Sequence, residues 1–312
     1  MSVMPSREIQ PSTAGISQDG PMAALETALA RDDPTAVMGA LEGQWHHGRP
    51  GSHAALRQQV GERLSAALTD DHAREGRWIE VLAVSPSPSA RQVACLLLAN
   101  RYSRDRIGVL RTAEALADDA HWEVREAAAG LMGTLLEHDF APNRSWLATL
   151  RSSRSENLRR AVVLAVKYAA RREHPERTPA LLDLLAPLLR DDSAYVRRNL
   201  GPFTLGDGLL RIDPRATLSQ LRAWSRERDP IVRWNVAMAF SSAIGSFHWP
   251  AARATLERLA RGPEPLVRMG VAKAVRRARQ RYPEEVAEAL RSWAKDPDRA
   301  ATAQLVGPAR RR

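Results

Sequence analysis

HWEVREAAAGLM (residues 121–132), SENLRRAVVLAV (155–166), SAYVRRNLGPF (193–203), PIVRWNVAMAF (230–240) and PLVRMGVAKAV (265–275) are copies of one pattern, with a weaker relative in SARQVACLLLA (89–99). Each copy begins at an acidic, seryl or prolyl turn, continues with an apolar residue and Arg, and runs into a helix of small apolar residues. The arginines in phase are Arg91, Arg125, Arg159, Arg197, Arg233 and Arg268, separated by 34 to 38 residues. A period of that size predicts a stack of two-helix units, in which each repeat buries its apolar face only against its neighbours. Equivalent positions of successive repeats then form a ladder of side chains, and function is sought along it.

Composition supports the same reading. Apolar residues make up 44% of the 312 and aromatic residues only 5%, so Ala, Leu, Arg and Glu dominate, which favours helix over sheet. The repeat register implies one elongated domain over residues 21–297. Before it lies a leader, residues 1–20, rich in Pro, Ser and Gly and without helical period; after it a polar basic tail, residues 298–312. Helices are expected over 22–33, 36–45, 55–68, 76–85 and 284–295, the last with the polar outer face of a capping repeat.

Lys and Arg number 46 against 36 Asp and Glu, a net charge of +10, and the pI is near 10.7. Such a field attracts polyanions: nucleic acid first, with an acidic protein or a membrane surface as rivals. The one cysteine, Cys95, lies in an apolar run and reads as a small buried hydrophobe in a reducing compartment. No stretch reaches eighteen apolar residues, and the N-terminus lacks the order of a signal peptide, so the expectation is a cytoplasmic protein without membrane contact. The histidines show no metal-ligand spacing, and Walker, dinucleotide and nucleophile-elbow motifs are missing, which implies chemistry without metal or cofactor.

Pro or Asp ahead of each repeat helix opens it or caps its first turn. The consensus Arg that follows has two readings, a brace on the inter-repeat turn or a contact to a partner. One residue later the chain reads Gln92, Glu126, Arg160, Arg198, Trp234 and Met269, a column too variable for packing and therefore a candidate binding surface. Trp45, Trp78, Trp146, Trp224 and Trp249 read as packing residues, and Trp234, in the ladder column, has both readings.

Trp122 and Glu126 stand one helical turn apart, Arg159 and Arg160 follow one repeat later, and SENLRRAVVLAVKY ends in Lys167 and Tyr168. This joint spacing, with the segment 193–214 after it, resembles the HEAT-like DNA glycosylases of the bacterial DNA alkylation repair family over about residues 90–240. The resemblance implies an all-α fold, a right-handed α-solenoid of HEAT-like helical repeats, acting as a monomer on double-stranded DNA that carries alkylated bases. It implies a monofunctional glycosylase that excises cationic N3- or N7-alkylated purines without deep base flipping. One branch of the family has Asp where this chain has Glu126, and another has Glu. A Trp expected near 200–203 is replaced by Phe203, and Asp207, in the turn-like stretch LGDG, resembles a second acidic residue of the Glu-bearing branch.

In these terms Glu126, Trp122 and Asp207 are the catalytic candidates. Arg125, Arg159, Arg160, Arg197, Arg198, Phe203 and Trp234 are the DNA-binding candidates, with either Arg159 or Arg160 facing the DNA. Alkylation leaves positive charge on the purine, so the base departs without protonation. The protein need only stabilise the oxocarbenium-like sugar, a task for a carboxylate and the face of an aromatic ring. The competing readings are a catalytically silent DNA-binding relative and a scaffold for an acidic protein.

Overall fold

The computed structural model describes residues 19–42, 45–46, 49–50 and 53–307. The leader therefore lies almost wholly outside the described residues, although its last two residues already belong to the first helix. The chain divides into two compact units, residues 1–97 and 98–312, so the span 21–297 crosses from one into the other.

The first unit contains α1 (Asp19–Ala30), α2 (Val37–Glu42), a two-residue antiparallel ladder of β1 (Trp45–His46) and β2 (Arg49–Pro50), α3 (Ala54–Leu68) and α4 (His72–Ala83). The helix expected over 36–45 thus stops at Glu42, and Trp45 lies in the ladder. Asp32 ends the first turn in a left-handed conformation, φ 50°. Its carboxylate accepts from Trp78 Nε1 at 2.7 Å, Arg74 Nε at 2.6 Å and Arg77 at 3.0 Å. These donors, the indole first, hold its pKa down to about 2. The unit boundary falls within α5 (Pro88–Arg101), where Cys95 is buried as expected.

The second unit is built of paired helices: α6 (Arg106–Ala117), α7 (Trp122–His138), α8 (Phe140–Leu150), α9 (Glu156–Ala169), α10 (Thr178–Leu185), α11 (Ala194–Asn199), α12 (Leu210–Ile212), α13 (Pro214–Trp224), α14 (Pro230–Ala239), α15 (Trp249–Ala260), α16 (Pro265–Ala278), α17 (Pro283–Lys295) and α18 (Ala300–Val306). One row packs α7 on α9, α9 on α11 and the segment after it, that segment on α14, α14 on α16 and α16 on α18. A second row of α8, α10, α13 and α15 lies behind it. The architecture is all-α, of HEAT-like helical pairs.

The starts of the helices follow from the sequence. Ser155, Ser193, Asp213 and Asp229 each accept backbone N–H groups of the first helical turn, and Pro occupies the first turn of α13, α14, α15, α16 and α17. In α9 the six residues Ala161 to Val166 are all buried, as a helix with neighbours on both sides requires. Trp78, Trp224 and Trp249 are buried, and Trp146 donates to Glu114 at 2.6 Å.

Two expectations need correction. Within the tail, Ala300–Val306 is helical, because Thr302 and Val306 are buried and Thr302 Oγ1 donates to the carbonyl of Ala260. The turn expected around Asp207 is a π-helix, Leu200–Leu209. Its glycines permit this: a Cβ on Gly201 would lie 2.7 Å from Met238 Cβ, and one on Gly206 would lie 2.4 Å from the carbonyl oxygen of Ala239. The helix therefore continues, with a wider cross-section, flush against α14.

Candidate active site

Trp122 is the first residue of α7 and is 58% exposed. Glu126, one turn on, carries its carboxylate out on the same side, where it meets α9. Arg160 donates to Glu126 Oε2 at 2.6 Å, and the hydroxyl of Tyr168 donates to Oε1 at 2.5 Å. Both donors come from α9, two turns apart, so they fix the carboxylate at two points.

The approach of α9 to α7 depends on Gly133. A Cβ there would lie 2.6 Å from Tyr168 Cβ and 3.2 Å from the carbonyl oxygen of Ala165. No side chain fits that gap, and the closeness brings the Tyr168 ring within reach of Glu126. Burial, and next the bond to Glu126, push the Tyr168 phenol pKa well above its usual value, so the hydroxyl keeps its proton and donates.

Arg160 is nearly buried, and its guanidinium also lies over the ring of Tyr195, 4.8 Å from the centroid. It is therefore committed to Glu126 rather than open to a phosphate. Arg125 lies on the same ring at 5.6 Å and donates to the Tyr195 hydroxyl at 3.3 Å. Tyr195 thus links the two arginines from the next repeat. Each oxygen of Glu126 accepts one hydrogen bond, a carboxylate oxygen has room for two, and the side chain is 34% exposed. A lone pair directed outward remains for a water or a developing cation.

The consensus arginines turn inward. Arg125 donates to the carbonyls of Asp119 and Ala120, Arg159 to those of Ser153 and Arg154, and Arg197 to those of Asp191 and Asp192. Arg159 also pairs with both oxygens of Asp191, which keeps its guanidinium charged. Of their two readings, the hydrogen bonds follow the turn brace. In the following column Arg198 is exposed and makes no hydrogen bond or ion pair among the described residues. Trp234 is half-buried, lying over Gly270, where a Cβ would sit 3.1 Å from its ring.

Phe203 and Asp207 do not join Trp122 and Glu126 directly. They line a separate recess of about 360 Å³ with Lys167, Ala170, Gly208, Arg211 and Ile212. Asp207 Oδ1 accepts the backbone N–H of Ile244 at 2.9 Å, which ties the π-helix to the next repeat. A larger recess, about 630 Å³, lies between α17 and α18 against Leu290, Ala294 and Ala303, and contains none of these groups.

Tyr168, Tyr195 and Lys167 are the groups that reading the sequence did not assign. The Lys-Tyr pair was visible at the end of SENLRRAVVLAVKY, but a link from Tyr168 to Glu126 across 42 residues depends on the rotation of α9 against α7. Among the described residues no group of His, Cys, Asp and Glu is placed to hold a metal ion, and no helix is long and apolar enough to cross a membrane.

A comparison with curated proteins gives no match. Among solved structures, YibA of Escherichia coli is 12% identical, with 98% of this chain and 100% of that chain covered, at a TM-score of 0.39. An engineered protein is 14% identical, with 81% and 91% covered, at a TM-score of 0.24. Residues 51–204, which include Trp122, Glu126, Arg160 and Tyr168, match the family model described as DNA alkylation repair enzyme, and about half of the chain is thus similar to enzymes that repair alkylated DNA.

Proposed function

We propose that the protein is a DNA glycosylase that excises cationic N3- or N7-alkylated purines from duplex DNA. The observation that carries this reading is the pairing of an exposed Trp122 with a Glu126 carboxylate held at two points beside it. A ring face and a fixed negative charge stabilise the sugar cation that forms as the C1′–N bond breaks. Because the charges are fixed before reaction, little reorganisation opposes the step. Glu126 also orients the water that adds to C1′.

The site lies at the surface rather than in a closed pocket, which suits excision with the base left near the stack and leaves room for bulky adducts. Arg198, exposed two repeats on from Glu126, holds a backbone phosphate, and the net charge of +10 supports attraction to DNA. The protein acts alone on the duplex, in the cytoplasm.

One observation favours a second reading. Because both oxygens of Glu126 already have donors, the carboxylate is also suited to joining α7 to α9 in a catalytically silent relative that binds distorted DNA. Incubation with duplex DNA carrying 7-methylguanine or 3-methyladenine, followed by chromatography of released bases, separates the two. Free alkylbase supports the glycosylase; tight binding with no release supports the silent relative. A scaffold for an acidic protein requires neither binding nor release.

A further inference from the structure

Lys167 is a half-buried cation of the second unit. It is the residue before Tyr168 in the last turn of α9, yet it makes no ion pair and no hydrogen bond among the described residues. Its ammonium instead rests 3.0 Å from the ring centroid of Phe203, at the wall of the 360 Å³ recess. Gly208 keeps that position open, since a Cβ there would lie 3.2 Å from Lys167 Cγ. Arg211 and Asp207 line the same recess, and the charges of Asp207, Glu126 and Arg211 all act on the amine.

A lysine amine becomes a nucleophile toward carbonyl groups when it is partly desolvated and not locked into a salt bridge. Burial, ahead of the charges around it, lowers the pKa of Lys167, which raises the fraction of free amine near neutral pH. An exposed lysine would not be desolvated in this way. Excision of a base leaves a deoxyribose whose ring-opened form bears an aldehyde at C1′, a carbonyl of the class that such an amine attacks.

We propose that Lys167 forms a Schiff base with the C1′ aldehyde of an abasic site and cleaves the strand on its 3′ side. This rests on the glycosylase reading for the origin of the aldehyde in the cell, and adds a second step to the simple excision that the sequence implies. The Nζ lone pair attacks C1′, the carbonyl oxygen takes up protons and leaves as water, and a protonated imine results. A carboxylate then removes a C2′ proton; the C–H electrons form the C2′–C3′ double bond, and the C3′–O bond breaks with the 3′ phosphate leaving with its electron pair. Water hydrolyses the imine and restores the amine. Asp207, at the wall of the same recess, takes the C2′ proton, and Arg211 faces the departing phosphate.

The test uses full-length protein and a duplex with a preformed abasic site, so it does not depend on excision. Borohydride reduces an imine to a stable amine and traps the protein on the DNA. The wild-type chain should give a trapped species that maps to Lys167 by peptide mass, together with a 3′ unsaturated aldehyde product when borohydride is omitted. Lys167→Arg, which keeps a cation over Phe203, should lose the trapped species while melting at the wild-type temperature. Glu126→Gln should still be trapped on preformed abasic DNA even where it no longer releases alkylbase, so a failed glycosylase and a failed lyase give different results. No trapped species with the wild-type chain, or equal trapping by Lys167→Arg, would overturn the proposal.

Discussion

The Tyr168 hydroxyl donates to Oε1 of Glu126 at 2.5 Å, from a helix one repeat further along the chain. The bond relates the fold to the chemistry: it exists only because Gly133 lets α9 lie against α7, and it sets the plane in which the carboxylate faces outward.

Tyr168→Phe removes that hydroxyl and leaves the ring. Net hydrogen bonds to a charged group are worth about 1.5–3 kcal/mol, so the substitution should lower excision by about tenfold and have little effect on DNA affinity. The phenol also reports on itself through pH. Its pKa is raised in the fold above the ordinary value near 10, so the folded chain binds a proton that the unfolded chain has lost. The corresponding stability is present below about pH 10 and is lost as pH rises above it. Wild-type protein should lose stability more steeply than Tyr168→Phe above that pH in denaturant titrations. Parallel curves would show that Tyr168 ionises freely.

Trp122 separates packing from function. Because Trp122 is 58% exposed, Trp122→Ala should change stability by less than about 1 kcal/mol, where a core Trp would cost about 3–5 kcal/mol. Excision should nevertheless fall, because the ring face that attracts the cationic sugar and base is gone. A drop in melting temperature on the scale of a core deletion would assign Trp122 to packing.

The two arginine columns should behave differently. Arg197→Ala removes the donor to the carbonyls of Asp191 and Asp192 and should destabilise the fold. Arg198→Ala should leave stability unchanged and flatten the slope of log affinity against log salt by about 0.9, the contribution of one phosphate. Arg160→Ala should leave that slope alone and instead reduce excision, since Arg160 orients Glu126. Identical slopes for wild type and Arg198→Ala would remove Arg198 from the interface.

The repeat was legible because an apolar residue followed by Arg, in phase over 34 to 38 residues, is a property of local sequence. The brace formed by each consensus Arg is equally local, reaching carbonyls five or six residues back. Trp122 and Glu126 were legible as a pair for the same reason, lying one turn apart on one helix. The π-helix was not, because Gly201, Pro202, Gly206 and Gly208 carry the composition of a turn, and only the close packing of α14 keeps the segment helical. One partner of Glu126 was hidden: Tyr168 reaches the carboxylate only through the rotation of α9 against α7, while Arg160, a cation one repeat on, turns to the carboxylate rather than to a phosphate.

The most direct measurement is the single-turnover rate of alkylbase release by Glu126→Gln beside the wild-type chain, on the same duplex carrying 7-methylguanine. Gln retains the size of the side chain and one acceptor oxygen but carries no negative charge. DNA binding should persist, and release should fall by about 100-fold or more, the scale for loss of one fixed electrostatic stabiliser. Release at the wild-type rate would contradict the assignment of the chemistry to Glu126.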